Sequence, residues 1–161
     1  MNPQKTEPTN PLYSLDKQQS SLVYYDKNTI VLTMPYWVKV TNSSVEDSEV
    51  KKHSFVLSYD PEAMTASDTK LKLYISHVVE DAGETVTRSN FTYAYRAYSI
   101  RAALAAFKGK TGKLPKYLEL TAEINNSKDE LVDKDGKETS VERSVEYDYA
   151  LQNNIELQGT I

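Results

Sequence analysis

His53 and His77 are the only histidines in a chain of 161 residues, and imidazole is the side chain best placed to move protons or bind metal near neutral pH. Each lies in a run that reads as a strand. His77 alternates in phase with Leu73, Ile75 and Val79, so its spacing assigns it to a core face before any catalytic role. Asp129, Asp133 and Asp135 before Gly136 place oxygen ligands at alternating positions, as a calcium loop does. The opening spacing and the closing glutamate of such a loop are missing, and the stretch reads as a solvated hairpin tip. The chain has no cysteine, which removes thiol nucleophiles, disulfides, cysteine-bound zinc and iron–sulfur clusters. No glycine loop for phosphate and no nucleophile elbow occurs. The expectation is a protein that is not an enzyme and uses no cofactor or metal.

Charge offers a different kind of chemistry. The net charge of −4 hides opposed blocks: Thr85 to Leu118 holds no acid and sums to +7, residues 119–161 sum to −7, and residues 1–84 to −4. The basic block is Arg88, Arg96, Arg101, Lys108, Lys110, Lys113 and Lys116. Lys72, Tyr74, Phe91, Tyr93 and Tyr95 lie near enough in sequence to offer rings for bases beside cations for phosphates, the ingredients of single-stranded nucleic-acid binding. In a flat strand, however, Phe91, Tyr93 and Tyr95 fall opposite Arg88 and Arg96, which favours a core or interface role for the rings. An acidic pI near 5.3 points the same way.

The elements that would position these groups are mostly strands. Residues 1–19 are rich in Pro, Gln, Ser, Thr and Asn and read as a flexible arm, leaving 20–161 as a single domain. SLVYYD, then TIVLTM and YWVKV kinked at Pro35, then HSFVLSY, read as strands. KLKLYISHVVE puts Leu71, Leu73, Ile75, His77 and Val79 on one face, and the turn at Asp81–Glu84 returns it through 85–98 as a hairpin. The Ala-rich run 99–109 predicts the one helix, with Ile100, Ala103, Leu104 and Phe107 on its buried face. YLELTAEI, a charged loop over Asn125–Lys137, VERSVEYDY and a terminal NIELQGTI complete the series. The predicted fold is mainly β: an antiparallel β-sandwich or open barrel of about eight strands with one α-helix around 99–109.

No export signal and no stretch of about 20 apolar residues is read, so the expected location is cytoplasmic or virion, away from membranes. An arm, an exposed terminal strand and opposed charge blocks point to the β-rich protomer of a larger assembly, such as a bacteriophage capsid, decoration or tail protein. Homo-oligomerisation or binding to other assembly subunits would follow. The alternatives are a single-stranded nucleic-acid binder using 88–116, and a small acidic inhibitor or immunity protein.

Overall fold

The computed structural model describes residues 2–15, 22–81, 83–84, 86–125 and 140–155. Seven strands form two sheets: β1 (Leu22–Asp26), β2 (Thr29–Val38), β3 (His53–Ser58), β4 (Lys70–Val79), β5 (Asn90–Ser99), β6 (Tyr117–Ile124) and β7 (Val141–Asp148). The first sheet has the order β1-β2-β5 and the second β3-β4-β6-β7. A four-residue helix α1 (Asp47–Val50) precedes β3, and α2 (Arg101–Thr111) joins β5 to β6. The predicted β-sandwich with a late helix is the architecture observed, and the described residues form no closed barrel.

Alternation builds the core. Ile30, Leu32, Met34 and Tyr36 of β2 face Leu71, Leu73 and Ile75 of β4 and Leu118, Leu120, Ala122 and Ile124 of β6, all buried in one cluster. Helix α2 buries Ala103, Leu104 and Phe107 and ends at Gly112, whose φ of 84° is the left-handed geometry glycine adopts freely.

Several expectations are corrected. β4 and β5 do not form a hairpin: β5 pairs with β2 at all ten of its positions, and β4 pairs with β3 and, in parallel, with β6. The connection over 80–89 therefore carries the chain from one sheet to the other. Pro35 does not split β2, whose register runs through the Pro35–Tyr93 pair. Of the segment read as a flexible arm, residues 2–15 lie on the fold. Leu12 bridges to Tyr36 of β2 and to Ile124 of β6, and Leu12 and Leu15 are fully buried. Its few apolar residues sit where both sheets can cover them, which average composition does not reveal. Residues 16–19, most of the 125–137 loop with its three aspartates, and the terminal strand beyond 155 lie outside the described residues.

Candidate functional site

The outward face of the four-stranded sheet carries a groove of about 390 Å³. Its floor follows from strand phase: with the odd residues of β4 turned into the core, Lys70, Lys72 and Tyr74 face out beside Glu119 and Thr121 of β6. Thr121 and Ser144 of β7 are cross-strand neighbours whose hydroxyls are 2.7 Å apart. The walls come from the loop after β3, through Tyr59, Asp60, Met64 and Asp68, and from Lys5 of the N-terminal segment. Lys5 Nζ lies 4.2 Å from the centre of the Tyr74 ring, a cation–π contact. Lys70 Nζ is held by Glu146 at 2.8 Å and Glu119 at 3.6 Å. The Tyr74 hydroxyl is buried and has no hydrogen-bond partner within bonding geometry among the described residues; burial raises its pKa against the opposing pull of the Lys5 ammonium.

A second cluster lies inside the fold. Arg88 is fully buried and grips two carboxylates in forked geometry: Nε and Nη2 donate to Glu49 at 2.8 and 3.2 Å, and Nη1 and Nη2 donate to Asp81 at 2.8 and 2.7 Å. Glu49 Oε2 also accepts from the Lys39 backbone N–H at 2.9 Å and meets His53 Nε2 at 3.0 Å. His53 Nδ1 lies 2.7 Å from His77 Nε2, and His77 Nδ1 lies 3.0 Å from the Pro11 carbonyl. Burial would raise the Glu49 carboxyl, but the bonds from Arg88, His53 and Lys39 outweigh it and hold the pKa at about 2. Burial opposes the charge on Arg88, yet its two carboxylate partners raise its pKa further. Burial lowers His53 against the pull of Glu49, while burial and the neighbouring His53 push His77 down to about 3.

The structure disperses the predicted contact residues. Arg88 is withdrawn into the buried cluster because only two carboxylates can offset a fully desolvated guanidinium, so it is unavailable to phosphate. Tyr74 belongs to the four-stranded sheet, while Tyr93 and Tyr95 belong to β5 of the other. Tyr93, Tyr95 and Phe91 point outward, at 42%, 64% and 43% exposure, so they are not a core face. Phe91 instead stacks on Tyr13 of the N-terminal segment, with ring centres 4.1 Å apart. Arg96 donates to the Tyr95 carbonyl, Arg101, Lys108 and Lys110 are exposed on α2, and Lys113 and Lys116 follow it. Lys116 Nζ lies 5.4 Å over the Tyr117 ring. Both histidines are buried, His77 as its phase implies. Strand phase placed the His77 ring; the pairing of Arg88 with Glu49, 39 positions away, and of His77 with Pro11, 66 positions away, had no local signal.

Comparison with known proteins returned no matching family model and no matching curated protein. Among solved structures, a candidate lipoprotein from Bacteroides fragilis superposes with a TM-score of 0.73 at 26% identity, covering 92% of this chain and 68% of that one. An uncharacterized protein from Parabacteroides merdae aligns at 14% identity and a TM-score of 0.45, over 91% of this chain and 63% of that one. The chain is thus similar to a bacterial lipoprotein-like fold. That likeness overturns the expectation of a virion or assembly protein. No helix among the described residues is long and apolar enough to cross a membrane.

Proposed function

We propose that this chain is the ligand-binding domain of an exported, envelope-associated bacterial protein, and that it acts by binding rather than catalysis. The likeness to the Bacteroides lipoprotein candidate supports the location. The observation that carries the binding role is the groove on the outer sheet face, with the unpartnered Tyr74 hydroxyl among its lining groups.

The lining favours a neutral, polyhydroxylated ligand such as an oligosaccharide. Lys5, Lys70 and Lys72 are offset by Asp60, Asp68, Glu119 and Glu142, so a ligand of one uniform charge gains nothing overall. Thr121, Ser144 and the Tyr74 hydroxyl offer hydrogen bonds, and the volume matches the lower end of small-ligand sites, about 300 Å³ upward. Titrating the isotopically labelled chain with neutral and anionic oligosaccharides tests this. Shifts confined to residues 70–74, 119–121 and 142–144 with neutral sugars, weakened in Tyr74→Phe, are expected; shifts elsewhere, or none with any sugar, refute it. Fractionating cells that produce the natural protein tests the location, and recovery in the cytosol refutes that part.

A further inference from the structure

The row Glu49, His53, His77, Pro11 contains three polar contacts, at 3.0, 2.7 and 3.0 Å, and each needs one proton between its atoms. An ionised Glu49 and two neutral rings supply only two. Because Glu49 stays ionised, His53 gives its proton to that charged acceptor, the strongest bond available. His53 Nδ1 then accepts from His77 Nε2–H, and His77 Nδ1 faces the Pro11 carbonyl as lone pair against lone pair. One added proton completes all three bonds: His53, beside Glu49, becomes the cation and donates from both nitrogens, and His77, still neutral, accepts at Nε2 and turns an Nδ1–H to the Pro11 carbonyl.

We propose that Glu49, His53 and His77 form a one-proton latch that fastens the N-terminal segment through the Pro11 carbonyl in mild acid and loosens it as the proton leaves. The segment is what the latch would hold: Leu12 N–H donates to Glu123 at 2.9 Å and Tyr13 N–H to Pro35 at 2.8 Å, just beyond Pro11. The surrounding groups leave the rings as the place for the proton. Arg88 stays charged between Glu49 and Asp81, and Lys52 lies 3.8 Å from Asp81. Tyr36 of β2 sets its ring against both histidines; burial keeps its hydroxyl protonated, although Arg96 pulls the other way. Phe55, stacked on His77, contributes no charge. A second proton is refused until far lower pH, because His77 is buried beside an already charged His53.

The experiment follows the ring nitrogens of the full chain by 15N NMR between pH 7.5 and 5, together with hydrogen exchange of the Leu12 and Tyr13 amides corrected for intrinsic rate. One proton taken up by the two rings jointly is expected, with His77 Nδ1 passing from bare to protonated. Protection of the two amides should rise on the order of tenfold relative to Leu73 and Leu120, the weight of one hydrogen bond. His77→Asn, whose amide donates at any pH, should remove this pH dependence. Two rings that titrate independently near the ordinary histidine value, or segment amides that track the core amides across the range, overturn the proposal; the ring titration decides it even if the variant fails to fold.

Discussion

The Tyr98 hydroxyl, on β5, donates to the backbone carbonyl of Phe55 on β3 of the facing sheet at 2.8 Å. The same device recurs along the sandwich. Tyr149, after β7, donates to the Lys27 carbonyl at 2.6 Å, Tyr24 of β1 donates to the Asp148 carbonyl, and Trp37 Nε1 of β2 donates to the Asn125 carbonyl at 2.7 Å. A ring that fills the space between sheets and ends in a donor ties them as phenylalanine cannot. This accounts for part of the excess of Tyr, 12, over Phe, 3.

Tyr98→Phe removes the donor and leaves the Phe55 carbonyl without it, at a cost of about 1–2 kcal/mol, read from the denaturant midpoint. Burial raises the Tyr98 and Tyr149 pKa values to about 12. The acid form is favoured in the fold, so its stabilisation is complete below the ordinary value of 10 and is lost as pH rises from there towards 12. Absorbance titration of phenolate should show these hydroxyls ionising together with unfolding.

Arg88→Met strands the Glu49 and Asp81 carboxylates, and the expected loss is about 3–5 kcal/mol, measured by thermal or denaturant unfolding. In the unaltered chain the depressed Glu49 pKa sets the acid limb. Its contribution is present above 4.5 and disappears as pH falls through about 2. Depression of His77 to about 3 adds a loss that begins earlier, as pH drops below 6.5, since the unfolded ring takes a proton that the folded one refuses.

Leu12→Ala opens a cavity between two sheets, and a loss of about 3 kcal/mol is expected. Equilibrium denaturation checks it. A change under about 0.5 kcal/mol, the range of an exposed site, would mean that the segment does not contribute to the core.

Tyr95→Ser, by contrast, alters a ring that is 64% exposed, and stability should move by no more than about 0.5 kcal/mol. A larger loss by the same measurement would place that ring in a contact the present face does not make.

Period-two alternation was enough to read the inward faces of β4 and β6, and Ala-rich spacing was enough to read α2, because both are properties of neighbouring residues. Pairing was not legible. The turn at 81–84 looked like a hairpin, yet β5 joins β2, since a strand's own pattern says which face is buried and not which edge it meets. Arg88 looked like a phosphate contact because its two carboxylates lie 39 and 7 positions away. Of the groove, the outward phase of Lys70, Lys72 and Tyr74 could be read beforehand; its walls come from loops and from a segment whose composition suggested no packing at all.

Leu15 offers its carbonyl to Arg143 Nε at 2.7 Å, across 128 positions of sequence. During synthesis this segment emerges well before the surfaces on β6 and β7 that receive it. It must wait through the assembly of both sheets and then close a loop nearly as long as the chain, an entropic toll that slows folding. Residues made ahead of both sheets are therefore among the last to find their place, and until they do the gap between the sheets lacks the Leu12 and Leu15 side chains that fill it.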